Sequence, residues 1–380
     1  MKKLNNISLN LSFSNQEKIT FLKNLFKPYT LRVYIVGGTI RDHFLNTTIN
    51  SNDIDIEVHG IDIEVFDTIM NHIGATGVGK SFFVYKYDNI DISLGRIESK
   101  VSYGHRGFDV ALAKDEFEAS IRRDFTINTL MYNIFSNEVY DYHNGLSDIQ
   151  NKTLKIVNTH TFKEDSLRVL RAIRFASVYD LTIDKTSLDI MKDMSIYDLS
   201  SQRIADELKQ IFKSCYTYKG LYYLIITNIF ERLFSYCISF KEFICLYKYI
   251  KRAICYYDKD QYELYLLFIL KKNINIDFSK LLLPNRYKHI LKEPYISEDI
   301  SKKELLYLAS FKSINKYLDS TNIIIVKKAK ELDIYFKKFE INIDIKSILE
   351  EGYINKDIAN QIEIRKKNYI EEFIKNKIDF

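Results

Sequence analysis

Four cysteines in 380 residues, Cys215, Cys237, Cys245 and Cys255, give little material for a disulfide framework. None forms a C-x-x-C pair and no histidine cluster accompanies them, which argues against zinc as well. They read as free, buried thiols in a reducing compartment. No apolar run reaches the length of a bilayer span; Thr321-Asn322-Ile323-Ile324-Ile325-Val326 is a core segment at most. The N-terminus, Met1-Lys2-Lys3-Leu4-Asn5-Asn6, turns polar at once, so no signal-peptide core follows it. A cytoplasmic protein without a membrane partner is the expectation. Prolines number three: Pro28 closes a first helix, and Pro284 with Pro294 brackets the expected break between helical subdomains. Glycine is scarce in the second half, ten of the twelve lying before residue 201.

What is present is ordinary for a globular chain, with 46% apolar and 28% charged residues and length enough for two or more domains. Charge is uneven. Residues 201–380 carry 32 Lys+Arg against 24 Asp+Glu, a net of +8, while residues 1–200 carry a net of −3. A basic, tyrosine-rich, helical second half is compatible with a nucleic-acid backbone partner. Compositional drift toward Lys, Ile, Asn and Tyr in an AT-rich genome explains the same numbers.

The most informative stretch is Gly37-Gly38-Thr39-Ile40-Arg41-Asp42, followed by Asp53-Ile54-Asp55. Val33-Tyr34-Ile35-Val36 reads as a buried strand leading into a glycine turn that lets backbone approach a phosphate, and Thr39 to Leu45 reads as a helix start. Asp53-Ile54-Asp55-Ile56-Glu57-Val58 alternates strictly and reads as a strand with one acidic face. Residues two apart on a strand share a face at about 6.5–7 Å. Two carboxylates so placed suit hard divalent cations such as Mg²⁺, which takes oxygen ligands together with substrate phosphates. A solvated edge strand is the plain alternative. Asp91, on the later strand Ile90-Asp91-Ile92-Ser93-Leu94, is a candidate third carboxylate that orients or deprotonates an attacking hydroxyl, or else a surface residue.

Elsewhere, Ser14–Leu25 and Ile61–Ile73 read as helices. Ser81–Tyr87 and Ile90–Leu94 form a hairpin about Asp88-Asn89, and Ile97 to Asp109 reads as a polar, mobile loop. Glu116–Arg123 is helical, Glu138–Asp141 a short strand, and Asn144-Gly145 a turn. Helical patterns dominate from about Phe162, without internal repeats. The tail, Gln361–Phe380, is a charged amphipathic stretch, either a solvated helix or an RNA contact.

Two further segments carry chemistry. In Arg122-Arg123-Asp124-Phe125-Thr126-Ile127-Asn128 the adjacent arginines suit a triphosphate clamp, since guanidinium binds phosphate oxygens bidentately; a surface helix feature is the alternative. In Glu164-Asp165-Ser166-Leu167-Arg168-Val169-Leu170-Arg171-Ala172-Ile173-Arg174-Phe175, Leu167, Val169, Leu170 and Ile173 fall on one helical face and Asp165, Arg168 and Arg171 on the other. Asp165 and Arg168, at (i, i+3), either present an acceptor and a donor to a base edge or close an intrahelical salt bridge. Arg174, at the edge of the apolar stripe, suits an ion pair or a phosphate contact.

Together these segments resemble the class II tRNA nucleotidyltransferase and bacterial poly(A) polymerase family, in family order over roughly residues 30–215. A weaker match is Leu199 to Leu208, similar to the family's R-I-x-x-E-L helix. The resemblance implies an α+β head of the polymerase-β nucleotidyltransferase type, a mixed sheet with helices, followed by an all-α neck, body and tail. The expected boundaries are head 1–150, neck 151–215, body 216–300 and tail 301–380, the tail binding tRNA. By resemblance Asp53 and Asp55 hold Mg²⁺, with Asp91 completing the catalytic set. Gly37, Gly38, Arg41, Arg123, Asp124 and Asn128 join Asp165, Arg168, Arg171 and Arg174 in binding the nucleotide, Asp165 and Arg168 reading its base.

The implied reaction is template-independent addition of C, C and A to the 3′ end of tRNA from CTP and ATP. CC-only, A-only and poly(A) activities are the alternatives within the family, and a catalytically inactive RNA-binding protein is the alternative outside it. Val78-Gly79-Lys80-Ser81-Phe82-Phe83 is not the Arg-Arg-Phe type associated with the polymerases. Thr39-Ile40 stands where Ala-Val is usual, Thr129 where Ala is, and His143-Asn144-Gly145 is an unusual form of the turn before the neck. Ile97–Phe108 corresponds to the family's flexible loop, with Glu98 and Arg106 as candidates for switching from C to A. No His-Asp pair marks an appended phosphohydrolase domain.

Overall fold

The computed structural model describes residues 1–47, 53–79, 83–100, 108–257, 259–274, 276 and 285–378. The first half supplies, in chain order, β1 (Lys2–Leu4), α1 (Phe13–Phe26), β2 (Val33–Val36), α2 (Gly38–Phe44), β3 (Ile54–Val58), α3 (Ile63–His72), β4 (Thr76–Gly79), β5 (Val84–Tyr87), β6 (Ile90–Leu94), β7 (Arg96–Lys100), β8 (Phe108–Leu112), α4 (Glu116–Ile121), β9 (Met131–Asn133), β10 (Glu138–Asp141) and α5 (Gly145–Gln150). Among the described residues eight of these strands form one sheet in the order β1-β10-β9-β2-β3-β6-β5-β4. It is mixed: β3 and β6 run parallel, and the other neighbours are antiparallel.

The period-2 pattern of β3 and β6 separates core from chemistry. Ile54, Ile56, Val58, Ile90, Ile92 and Leu94 are all fully buried on one face. Helix α3 covers that face, its Phe66 meeting Tyr85 of β5 edge-on at 5.8 Å and Phe26 of α1 at 6.4 Å. The opposite face carries Asp55, Glu57, Asp91 and Ser93, matched by the register Asp55 with Asp91 and Glu57 with Ser93.

Two local expectations change. Ile97–Asp109 is not simply a loop: β7 and β8 pair antiparallel from Arg96 opposite Leu112 to Lys100 opposite Phe108. Strand β7 is polar and the Val110-Ala111-Leu112 run of β8 is too short to mark a strand by itself, so the ladder rests on pairing between segments that neither displays alone. Glu98 sits on β7, while its side chain, with Arg106 and residues 80–82, lies outside what is described. Asn144-Gly145 is not a free turn but the start of α5, with Asn144 left-handed at φ 62°.

Next come β11 (Thr153–Leu154), α6 (Thr159–Lys163), α7 (Leu167–Tyr179), β12 (Thr182–Ile183), α8 (Lys185–Lys192) and α9 (Ser201–Lys213). A two-residue parallel ladder joins β11 to β12. Helix α7 buries Val169, Leu170, Ala172, Ile173, Phe175 and Ala176. Its Phe175 meets Phe125 edge-on at 5.6 Å, tying this helix to the segment that carries Arg122 and Arg123.

The remainder is helical: α10 (Thr217–Ile226), α11 (Ile229–Phe234), α12 (Phe240–Ala253), α13 (Lys259–Ile274), α14 (Asn285–Lys288), α15 (Lys302–Ala309), α16 (Ile323–Glu331), α17 (Ile345–Glu350) and α18 (Lys356–Ile378). The chain divides into two compact units, residues 1–211 with 219–229, and residues 212–218 with 230–380. In the second unit Leu305, Leu306, Ile325, Ala329 and Ile370 share a core, so the charged tail helix is anchored by one apolar stripe. Capping boxes Ser239–Glu242 and Ser301–Glu304 fix the starts of α12 and α15. The four cysteines are free but exposed, not buried. Cys245, for example, lies on the polar side of amphipathic α12, whose buried residues are Leu246, Ile250 and Ala253. Pro284 lies outside the described residues.

Candidate active site

Eleven of the thirteen expected site residues line a single cavity of about 540 Å³ within the first unit: Gly37, Gly38, Arg41, Asp55, Asp91, Arg123, Asp124, Asn128, Asp165, Arg168 and Arg171. That volume lies in the range of small-molecule sites. Asp53 and Arg174 are not part of the lining. Asp53 precedes β3 and is exposed. The guanidinium of Arg174 lies 2.9 Å from Glu207 Oε2 of α9 and over the Phe175 ring at 4.7 Å, the ion-pair alternative rather than a place in the cavity.

Glycine is required where β2 turns into α2. Gly37 has φ 71° and ψ −128°, a conformation that side chains resist. A Cβ there would stand 3.2 Å from Asp55 Oδ2, so the turn and the carboxylate are fitted to each other. Asp55 faces the cavity. Desolvation, the adjacent Asp91 and Asp53 push its carboxyl above the usual range, against the pull of Arg123 and Arg122. Lys86 lies 3.8 Å from Asp91 Oδ1. Among the described residues no cluster of three or more His, Cys, Asp and Glu side chains gathers to hold a metal. The donors that do meet, Asp55 and Asp91, are hard oxygens of like charge side by side, which a divalent cation would relieve.

Opposite stands a cationic wall. Arg123 Nη2 donates to Glu57 Oε2 at 3.0 Å and Nη1 to the Asn128 carbonyl at 3.1 Å, while Arg122 Nη2 donates to the same Glu57 oxygen at 3.4 Å. Arg171 donates through Nε to Asp124 Oδ2 at 2.8 Å, and Asn128 donates to Asp124 Oδ1 at 2.8 Å. Burial alone would raise the Asp124 carboxyl; Arg171 and Asn128 hold it below the usual range. Arg41 is buried and committed to its neighbours, donating to Asp42, Asn128 and the Tyr179 hydroxyl at 2.8, 2.9 and 2.6 Å. Arg168 donates from Nη1 to the Thr161 carbonyl at 2.8 Å and from Nη2 to that of Arg122 at 2.6 Å.

Asp165 is not on a helical face. It lies in the turn before α7, its Oδ1 accepting from the Leu167 N–H at 3.1 Å and its backbone carbonyl from Arg168 N–H at 3.1 Å. Helix α7 starts at Leu167, where the apolar stripe starts too, and the Asp165 carboxylate caps that start by accepting from the Leu167 N–H.

Sequence reasoning missed Glu57, Ser93, Arg96 and Arg203 as members of the lining. Glu57 was visible only as the third acid of an alternating strand. It is in fact fully buried, and Arg123, the His59 hydrogen bond and Arg122 outweigh desolvation and hold its carboxyl far below the usual range. Arg203, 3.8 Å from Asp165 Oδ1, is the arginine of the R-I-x-x-E-L motif on α9, the one signal that pointed at it. No motif marked Arg96.

A mixed-sheet head with paired carboxylates facing an arginine wall, followed by helices, defines a nucleotidyltransferase-type head on a helical carrier. Residues 33–155 match the family profile described as a poly(A) polymerase head domain, and residues 180–239 the one described as a probable RNA and SrmB-binding site of polymerase A. A CCA-adding enzyme of Staphylococcus epidermidis is 28% identical over 272 residues, 69% of this chain and 64% of that protein. One from Staphylococcus haemolyticus is 27% identical over 372 residues, 89% of this chain and 90% of that protein. Among solved structures, the Thermotoga maritima CCA-adding enzyme complexed with tRNA matches with a TM-score of 0.65 at 20% identity, covering 95% of this chain and 92% of that one. The head thus matches the poly(A) polymerase head-domain profile, and over most of its length the chain is similar to CCA-adding enzymes.

Proposed function

We propose that this protein adds C, C and then A to the 3′ end of tRNA from CTP and ATP, without a nucleic-acid template. The observation that carries the reading is the cavity itself, where Asp55 and Asp91 face Arg122, Arg123, Arg168 and Arg171 across a volume suited to one nucleoside triphosphate. The names of the similar proteins point the same way. The terminal 3′-hydroxyl of the RNA attacks the α-phosphorus in line. An O–P bond forms there, the bond to the β-phosphate breaks, and pyrophosphate departs with its electron pair. The Asp91 carboxylate orients the hydroxyl and takes up its proton. Arg122 and Arg123 bind the triphosphate oxygens. Arg41, held by Asp42, Asn128 and Tyr179, supports the glycine turn from beneath. Asp165 and Arg168 read the base edge, backed by Arg171 on Asp124.

Mg²⁺ is the cation that suits Asp53 and Asp55 in this reading; when bound it neutralises charge on the attacking and leaving oxygens. The division into head 1–150, neck 151–215, body 216–300 and tail 301–380, with the tail on tRNA, belongs to the same proposal, as does a cytoplasmic location. No helix among the described residues is long and apolar enough to cross a membrane.

The test is incorporation onto a tRNA lacking its terminal CCA, with CTP alone, ATP alone and both. Two C with CTP and one further A with both is the expected result. Stopping after C in the presence of ATP would make it a CC-adding enzyme. A single A on a tRNA already ending in CC, with no C addition, would make it A-adding. Long A tails would move it to the poly(A) polymerases, and no incorporation to an RNA-binding protein.

A further inference from the structure

The pair Arg122-Arg123 does not stand on the sheet by its own packing. Both guanidinium groups converge on one oxygen, Glu57 Oε2, at 3.4 and 3.0 Å. Glu57 comes from β3, two residues beyond Asp55 on the same face, and its side chain is 1% exposed. Its other oxygen, Oε1, lies 3.0 Å from His59 Nε2, so the carboxylate is held at both ends. His59 is buried too, and cannot turn away. The Tyr34 ring meets it edge-on at 5.8 Å, and Gly95 closes directly over it: a Cβ at Gly95 would fall 2.1 Å from His59 Cε1. Such an approach leaves room for no side chain but hydrogen. Gly95, His59, Glu57 and the arginine pair therefore form one continuous buried stack, ending at the cavity wall opposite Asp55.

We propose that Glu57, fixed by His59, is the positioning residue for the triphosphate clamp: it sets the orientation in which Arg123 and Arg122 meet the phosphates. This rests on the nucleotidyl-transfer reading of the cavity. Two physical effects of Glu57 oppose each other. As a carboxylate it subtracts charge from the clamp and weakens anion binding; as a buried anchor it holds two rotamer-rich side chains in one geometry. An arginine side chain is rich in rotamers, and its planar fork binds phosphate bidentately only when its orientation is set in advance. The anchoring outweighs the lost charge, and the two effects predict opposite signs.

The experiment is calorimetric binding of inorganic tripolyphosphate to the full-length wild-type protein, Glu57→Gln and His59→Gln, with CTP incorporation kinetics beside it. The neutral isostere Glu57→Gln should weaken tripolyphosphate binding about tenfold and raise the KM for CTP by a similar factor, with kcat changed far less and the KM for tRNA unchanged. His59→Gln, which leaves the carboxylate in place but loosens it, should show the same split at about threefold. Tripolyphosphate binding to Glu57→Gln as tight as wild type, or tighter, overturns the anchoring role. If Glu57→Gln does not fold, His59→Gln decides: unchanged binding overturns the proposal and weakened binding supports it. Wild type that binds no tripolyphosphate overturns it as well. Wild type that binds tripolyphosphate but incorporates nothing removes the transfer reading alone, and the variants still report on the clamp.

Discussion

Asp91 stands in direct register beside Asp55 on the parallel strands β6 and β3, so the two carboxylates share one face of the sheet although 36 positions separate them in the chain. Their roles in the proposed mechanism differ, and substitution separates them. Asp55→Ala should abolish incorporation, by about 10³-fold or more, while leaving tRNA binding nearly intact, because the substitution removes no cationic group. Asp91→Asn should lower kcat with little change in nucleotide KM. Rapid-quench incorporation with a parallel tRNA binding assay reads both. Full activity in Asp55→Ala would remove the metal-site assignment, and unchanged kcat in Asp91→Asn would remove the hydroxyl-orienting role.

In the proposed mechanism Asp165 and Arg168 read the base, and Asp165 sits in the turn that starts α7 rather than on its face. Asp165→Ala should therefore have two effects. Discrimination between CTP and ATP should fall about tenfold or more, the size of a lost base-edge contact. Loss of the cap should lower stability by about 1 kcal/mol. Competition between the two nucleotides at a tRNA ending in its first C measures the first effect, and denaturant unfolding the second. Undiminished discrimination with the expected loss of stability would leave Asp165 as a cap only.

Gly37→Ala examines the turn between β2 and α2. Its φ of 71° disfavours any side chain at a cost of about 1–3 kcal/mol. The added methyl would also press on Asp55 Oδ2 from 3.2 Å. A lower melting temperature and a fall in incorporation on the order of 10²-fold are expected, since small displacements of a catalytic group are costly. A stable, fully active Gly37→Ala protein would show that the turn and Asp55 are independent.

Local pattern made much of this legible, and the boundary of what it revealed has a physical cause. Strict alternation through Asp53–Val58 identified β3 and its acidic face, and the glycine pair located the turn beside it. Alternation names the face of a strand but not what covers it. Glu57 looked like a solvated acid because its partners Arg122 and Arg123 arrive from 65 and 66 residues away. The β7–β8 ribbon was hidden for the same reason: polar β7 is held by its pairing with the short strand β8, which neither segment displays alone. Arg174 reads equally as a phosphate ligand or an ion pair until α9 brings Glu207 against it. Asp165 shows the limit of helical projection: at 100° per residue it shares a face with Arg168 and Arg171, but the helix starts only at Leu167 and Asp165 lies before it.

Helix α4 carries the chain toward Arg122 and Arg123, and its first residue, Glu116, is tied to the strand side of the head. Arg32 donates to it twice, Nε to Oε1 and Nη2 to Oε2 at 2.8 Å each, and the Tyr34 hydroxyl donates to Oε1 at 2.8 Å. Burial acts to raise the Glu116 pKa, but the hydrogen bonds from Arg32 and Tyr34 prevail and lower it from 4.5 to about 2. A depressed carboxylate stabilises the fold above its unfolded pKa and loses that contribution as pH falls through the folded value. Glu116 should therefore stabilise fully above about pH 5, progressively less toward pH 2, and not at all below. Because the Arg32 side chain is 42% exposed, solvent screening limits the contribution to about 1–2 kcal/mol. Urea unfolding of wild type and Glu116→Gln at pH 7, 4 and 2.5 isolates it, since every other carboxylate is common to both proteins. The stability gap should be widest at pH 7 and shrink steadily as the pH falls. A gap of constant size across that range would mean that Glu116 acts through shape rather than charge, and that α4 is held in place by its packing alone.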